Sequence, residues 1–82
     1  MGRSTVQFPG LKAQQLLAVL LREPLGYEIV RQRGSHRRLR SRNGHPDLAF
    51  SFHSGVSMPP GAVRKVLVMD VGLSEDEARR LV

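Results

Sequence analysis

The sequence predicts an α+β domain in which helices pack on one face of a three-stranded antiparallel sheet. Three observations predict this class: an amphipathic segment at Leu11–Arg22, strand-like segments between positions 27 and 53, and two helical segments after Pro60. With 82 residues the chain is too short for two stable cores. We therefore expect a single domain over residues 1–82, in which residues 1–10 form an N-terminal extension.

The first helix is predicted over Leu11–Arg22, where apolar residues recur mainly at helical spacing. Pro9-Gly10 precedes it and Pro24 follows it, and the residue before a proline is disfavoured in a helix, so the helix should end by Glu23. This helix also holds the longest apolar run, Leu16–Leu21. Six residues are far fewer than the ~20 that cross a bilayer, so no membrane segment is expected.

Three strands should follow the first helix. Tyr27–Gln32 is aromatic and β-branched, and Gly34-Ser35 is typical of a turn before a second strand at His36–Arg42. Asn43-Gly44 is the dipeptide that accepts positive φ at both central positions of a hairpin turn. Apolar residues then alternate with small or polar ones over 48–53, which predicts a half-buried third strand.

Two registers are open for the second hairpin. A two-residue loop at Asn43-Gly44 places His36 opposite Ser51 with His53 as its diagonal neighbour, whereas a four-residue loop places His36 opposite His53. Both put Leu39 on the core face with the alternating apolar residues of the third strand. In either case the solvent face carries His36, Arg38, Arg40, Ser51 and His53.

The last third of the chain predicts two helices. Pro59-Pro60-Gly61 leads into a helix that should stop at Gly72 and whose apolar face is Val63, Val66, Leu67 and either Met69 or Val71. Ser74 and Glu77 form a capping box that opens a short helix through Leu81. The predicted order is αβββαα.

Charge and composition narrow the function. The net charge is +6, from 13 basic and 7 acidic residues, and six of the 13 basic residues are arginines within positions 31–42. Guanidinium groups bind phosphate oxygens bidentately, so the pattern favours nucleic acid as a partner, although a general arginine bias of the coding sequence is the alternative. There is no cysteine, which excludes disulfides, thiolate catalysis and Cys-ligated zinc. The first ten residues have no apolar stretch of signal-peptide length, so we expect a cytoplasmic protein.

Histidines among arginines suit the cleavage of RNA by transesterification. A base must take the 2′-OH proton and an acid must protonate the leaving 5′-oxygen, and histidine serves both roles near neutral pH. His36 and His53 are the candidates, and a simple polar surface role is about equally compatible with their spacing. The three histidines show no close metal-ligand spacing, and only His45 has a nearby carboxylate, Asp47, so neither a metal nor a cofactor is expected.

Several motifs resemble the HicA family of small mRNA interferases, the toxins of HicA–HicB toxin–antitoxin systems. The segment Val30–His36, read as Val-Arg-Gln-Arg-Gly-Ser-His, is similar to the family's turn motif. Leu48–Gly55 resembles its third strand, Pro60–Leu67 the following helix, and Gly72-Leu73-Ser74 the opening of its terminal turn. The resemblance covers about residues 11 to 82.

The resemblance implies a double-stranded-RNA-binding-like fold and metal-independent endoribonuclease activity on mRNA, as the toxin of a type II toxin–antitoxin system. It assigns His36 as the catalytic general acid/base, presented by the turn at Gly34-Ser35. His53 and Ser35 are candidates for a second catalytic or phosphate-contacting role. Arg31, Arg33, Arg38 and Arg40 are the expected RNA-binding residues. The implied partners are RNA and a HicB-type antitoxin whose acidic surface would cover this face.

Two other functions compete with the ribonuclease. A non-catalytic module that binds RNA by shape and phosphate contacts would need the arginines but not the histidines. A DNA-reading helix-turn-helix over 63–81 is disfavoured because the end of its second helix that should approach phosphates carries Glu75, Asp76 and Glu77.

Overall fold

The computed structural model describes residues 8–82. Its elements, in chain order, are β1 (Leu11–Lys12), α1 (Ala13–Leu21), β2 (Tyr27–Arg33), β3 (His36–Ser41), β4 (Leu48–Phe50), β5 (Ser57–Met58), α2 (Pro60–Arg64), a π-helical segment (Lys65–Asp70) and α3 (Glu75–Leu81). Strands β2, β3 and β4 form an antiparallel sheet in that order, which confirms the predicted α+β class. Most of the predicted N-terminal extension lies outside the described residues, but Phe8 packs into the core.

Helix α1 begins two residues later than predicted because a small separate sheet precedes it. Leu11 and Lys12 pair with Met58 and Ser57 as an antiparallel ribbon of β1 and β5. The loop before β5 then supplies acceptors for the first turn of α1, since Ala13 N donates to Val56 O at 2.8 Å. Such carbonyls satisfy donors that a helix start leaves unpaired.

The turn between β2 and β3 forms as predicted. Arg33 pairs with His36, which leaves Gly34 and Ser35 as a two-residue loop. Gly34 has a φ of +60° and Ser35 does not enter the left-handed region, as in a type II′ hairpin turn with glycine at the first position. The loop therefore fixes where His36 starts its strand.

The β3–β4 register is the one predicted for the shorter loop, but the predicted turn is wrong. Leu39 pairs with Leu48 and the ladder extends no further toward the loop, so the connection is wider than two residues. Gly44 takes a positive φ and Asn43 does not. The Asn43 side chain instead donates to Glu23 Oε1 at 2.8 Å and to Pro24 O at 2.6 Å, which uses the amide to hold the α1–β2 corner.

Helix α2 runs directly into the π-helical segment. Val71 N donates to Val66 O at 2.9 Å, an i to i−5 bond that widens the last turn. The sequence left Met69 and Val71 as alternatives for the last residue of the apolar face. Val71 is buried and Met69 is 67% exposed, so Val71 completes that face. Gly72 follows with a φ of +92°, and the helix stops there as predicted.

Helix α3 confirms the predicted capping box. Ser74 Oγ accepts from Glu77 N at 3.1 Å, and Glu77 Oε1 accepts from Ser74 N at 3.1 Å. The bond that the carboxylate accepts from Ser74 N, followed by the Ser74 hydroxyl, lowers the pKa of Glu77, because donors to the carboxylate favour its charged form.

The core lies between the sheet and the helices. Tyr27, Leu39 and Phe50 of the sheet are buried in one cluster with Leu16 and Leu20 of α1, Val63 of α2 and Leu67 of the π-helical segment. Tyr27 also donates through its hydroxyl to Pro46 O at 2.6 Å. Within residues 8–82 no helix has the length and hydrophobicity needed to span a bilayer.

Candidate active site

A bulge in β2 decides which side chains reach the solvent face. Ile29 pairs with Leu39 and Arg31 with Arg38, so Val30 is an extra residue without a partner. Tyr27 points into the core, and strict alternation from it would turn Arg31 toward the core as well. The bulge shifts this alternation by one and brings Arg31 to the face of Arg38. Arg33, two residues on, follows it there.

His36 lies on this same solvent face at the first position of β3. It is exposed and pairs with Arg33 across the tight turn. The register places its side chain on the face of Arg38, two residues along the strand. The turn and the bulge together therefore surround one imidazole with guanidinium groups from two strands.

These side chains line a shallow groove of about 250 Å³. Its remaining wall comes from the neighbouring strand β4 and the residue after it, Ala49 and Ser51, which are both small. The full lining is Arg31, Arg33, His36, Arg37, Arg38, Ala49 and Ser51. The low wall leaves the groove open toward the free edge of β4.

The groove is strongly cationic because its lining includes four arginines and no carboxylate. Glu23 and Glu28 both pair with Arg42, at 3.4 and 3.6 Å. Among the described residues, no arginine of the groove forms an ion pair with a carboxylate. A phosphate entering the groove would therefore meet guanidinium donors that no internal acid neutralises.

Arg37 has a different role from the other groove arginines. It is half-buried, and its Nη1 donates to Phe52 O at 3.2 Å and to Ser35 O at 3.5 Å. One guanidinium thus links the turn that precedes His36 to the chain that continues β4. This role was not predicted from the sequence, where its only signal is the arginine's place between two solvent-facing residues of β3.

The structure brings together only some of the predicted site residues. His36, Arg31, Arg33 and Arg38 line one groove, whereas Arg40, Ser35 and His53 do not. Arg40 lies further along β3 opposite Glu28, and the carbonyl of Ser35 faces Arg37.

His53 follows the end of β4, beyond the last strand pair Arg37–Phe50. Its side chain is exposed, and its carbonyl accepts a bond from Val56 N at 3.1 Å. The sequence left Ser51 and His53 as alternatives for the position opposite His36, and the β3–β4 register gives that position to Ser51. A catalytic role for His53 stays a prediction.

Metal ligands do not cluster at this groove or elsewhere in the part of the chain that the structure describes. Over residues 8–82 no three His, Asp or Glu side chains come close enough to hold an ion together. The groove can thus offer an ionisable imidazole and fixed positive charge to a substrate.

Comparison with known proteins identifies the family. The model described as the HicA toxin of bacterial toxin–antitoxin systems matches residues 13–73, from the start of α1 to just before α3. Neither the curated proteins nor the solved structures gave a match. The chain belongs to the HicA toxin family, which confirms the resemblance read from its motifs. Its α+β architecture is the double-stranded-RNA-binding-like fold expected of that family, and membership implies an antitoxin partner.

Proposed function

We propose that this chain is an endoribonuclease that cleaves mRNA without a metal ion, as the toxin of a type II toxin–antitoxin system with a HicB-type antitoxin. The observation that carries the proposal is the position of His36, an exposed imidazole in a groove whose arginines pair with no carboxylate of the described residues. Because its substrate is mRNA, we place its action in the cytoplasm.

In the proposed reaction the 2′-oxygen of a ribose attacks the adjacent phosphorus. A base takes the 2′-OH proton, a new bond forms from the 2′-oxygen to phosphorus, and the bond from phosphorus to the 5′-oxygen breaks. An acid returns a proton to that leaving oxygen, which gives a 2′,3′-cyclic phosphate and a 5′-OH end. His36 serves as the general acid or base, and Arg31 and Arg38 hold the phosphate and offset its developing charge.

The position of His36 suits a role in this reaction better than a role in stabilising the fold. It is exposed, and no hydrogen bond to its side chain is made within the described residues. A non-catalytic RNA-binding module would use the same arginines but would gain little from an ionisable imidazole among them. The two functions therefore differ in what they require of position 36.

The test is to incubate the purified protein with single-stranded RNA in EDTA, beside His36→Ala and His45→Ala. We expect the wild type and His45→Ala to leave cyclic phosphate ends, and His36→Ala to lose roughly 10²–10⁴ in rate, as for removal of a general acid or base. His45 is a matched control because it lies outside the groove.

Three results would contradict the proposal. If the protein binds RNA tightly but leaves it intact, the chain is a non-catalytic module that recognises RNA by its shape. Cleavage that EDTA abolishes would show a metal-dependent reaction. Full activity of His36→Ala would move the chemistry to another residue.

A further inference from the structure

We propose that the free edge of β4 is the docking site for an extended segment of a protein partner in which acidic and apolar residues alternate. The segment would add to the sheet as a fourth strand beside the His36 groove. Three features carry this inference: a strand edge without a partner in the described residues, a channel beneath it with several apolar side chains, and the arginines next to it.

The outer edge of β4 has no neighbouring strand in the described part of the chain, because β4 is the last strand of the three-stranded sheet. An edge of this kind presents backbone N–H and C=O groups that another chain can pair with. Proteins commonly cover such an edge or blunt it with charge, whereas this one carries Leu48, Ala49 and Phe50.

A channel of about 570 Å³ runs beside this edge, between β4 and the helical layer. Outside β4, four of its lining residues are apolar, Phe52, Ala62, Val66 and Met69. Asp47, Lys65 and Asp70 also line it, and Lys65 and Asp70 pair with each other at 3.2 Å. Met69 is 67% exposed, the highest value among the exposed large apolar side chains of the described residues. Apolar side chains of an added strand would enter this channel on the core side of the sheet and cover Met69.

The other face of an added strand would lie beside the arginines. Ala49 and Ser51 line both the channel and the His36 groove, so the two sites share one wall. Neighbouring strands are about 4.8 Å apart, which puts an added residue roughly 10 Å from Arg38 across one small side chain. An extended glutamate and an extended arginine span that distance, so alternate acidic residues would meet Arg38.

Charge selects this occupant over a second copy of the chain. A symmetric pair joined through β4 would set two arginine faces side by side in one sheet, each from a chain of net charge +6. RNA would satisfy the arginines but has no apolar residues for the channel under Met69. An acidic and apolar strand matches both sides of the edge.

Strand addition would also control the groove. Acidic side chains over Arg38 would occupy the guanidinium groups that a phosphate needs, and this consequence rests on the proposed function. Docking itself does not, because it depends on the edge, the channel and the charge.

The test titrates the isotopically labelled full chain with a capped eight-residue peptide that alternates glutamate and valine, followed by NMR of the backbone amides. A lysine–valine peptide of the same length is the control for charge. We expect saturable binding of the acidic peptide alone, with the largest shifts at Ala49, Ser51 and Met69. Met69→Glu should weaken binding by at least on the order of tenfold, since it replaces the apolar contact by a carboxylate that the added strand would have to bury.

Val30→Glu is the matched control variant. It adds the same charge at an exposed apolar position of β2, the opposite edge strand, and should bind the peptide like the wild type. If Val30→Glu weakens binding as much as Met69→Glu, general charge attraction explains it and the docking site is wrong.

Any of four results would overturn the proposal. These are amide shifts confined to Arg31–Arg38, amide shifts along β2, concentration-dependent self-association through β4, or no binding. RNA cleavage by Met69→Glu is measured in parallel. If the wild type and this variant both leave RNA intact while peptide binding follows the expected pattern, the proposed function fails and the docking site stands.

Discussion

Glycine is required at position 26 for two reasons that can be separated. Its φ is +61°, and a Cβ there would lie 2.6 Å from Nδ2 of Asn43, whose side chain holds the α1–β2 corner. Gly34 has nearly the same φ, +60°, but a Cβ there would meet nothing within 4 Å.

We therefore predict that Gly26→Ala destabilises the fold more than Gly34→Ala. Both replacements carry the left-handed backbone cost of about 1–2 kcal/mol, and only Gly26→Ala must also displace Asn43. Urea unfolding of the two variants measures the difference. Equal losses of unfolding free energy would show that the Asn43 contact adds nothing.

Tyr27 links the buried sheet to the loop before β4. Burial, followed by the charge of Asp47, raises the pKa of Tyr27 to about 12 from its ordinary value of 10. The folded state therefore keeps the hydroxyl proton over a range in which the unfolded chain loses it. This contribution to stability is full below pH 10 and is lost as the pH rises toward 12.

Tyr27→Phe should cost about 1–2 kcal/mol at neutral pH, because Pro46 O loses its hydrogen-bond donor. The deficit relative to the wild type should shrink between pH 10 and 12, where the wild-type contribution fades. Chemical denaturation of both proteins at pH 7, 10 and 11.5 measures it. A deficit that stays constant over this range would contradict the raised pKa.

At the scale of elements, a side chain replaces strand pairing where β4 ends. Ladder pairing stops at Phe50, and Arg37 then holds the carbonyls of Ser35 and Phe52. The chain beyond Phe52 carries carbonyl acceptors for the first turn of α1, such as Val56 O. The groove and the start of α1 are thus connected through one guanidinium.

Arg37→Met should release this segment while keeping the aliphatic stem of the side chain. We expect amide exchange at Ala13 and Val56, which donate bonds in this region, to rise about tenfold, as for loss of about 1.4 kcal/mol of local stability. Arg40→Met makes the same charge change on the solvent face of β3 and should leave these amides unchanged. Equal exchange in both variants would show that Arg37 does not hold the segment.

The elements show which features a sequence can reveal. The first helix, the Gly34-Ser35 turn and the capping box at Ser74 were predicted because each depends on neighbouring residues. The small β1–β5 ribbon joins segments more than forty positions apart and has two residues per strand, too few for any alternation to show. The prediction of a two-residue turn at Asn43-Gly44 was wrong because tertiary hydrogen bonds engage the Asn43 side chain.

The site was predictable to a similar degree. The alternation of β3 placed His36 and Arg38 on one face, and the glycine-serine turn fixed the register with Arg33. The bulge that brings Arg31 and Arg33 to that face leaves no mark in the sequence pattern, because Val30 reads as an ordinary strand residue. The early end of β4, which leaves His53 outside the groove, depends on the packing of the whole loop.

For the whole molecule, charge should govern RNA affinity. If groove arginines hold phosphates, log K should fall with log salt by roughly 0.7 for each phosphate contacted on a single strand. Arg38→Gln should reduce that slope by about one such contact. Arg79→Gln removes the same charge from α3, away from the groove, and should leave the slope unchanged.

The measurement uses fluorescence anisotropy of His36→Ala with labelled RNA between low and physiological salt, so that cleavage does not interfere. A slope that falls equally in both arginine variants would mean that overall charge attracts RNA and that the groove has no special part in it.

The bulge at Val30 makes strand pairing, more than residue identity, the constraint on this part of the chain. The side chain of Val30 is 47% exposed, so many replacements there should be harmless. If Val30 were instead paired with Arg38 as an ordinary strand residue, everything from position 31 to the turn would be rotated by half a pleat, and two guanidinium groups would exchange water for the hydrophobic interior. A spacer with no chemistry of its own thus determines whether the imidazole has cationic neighbours.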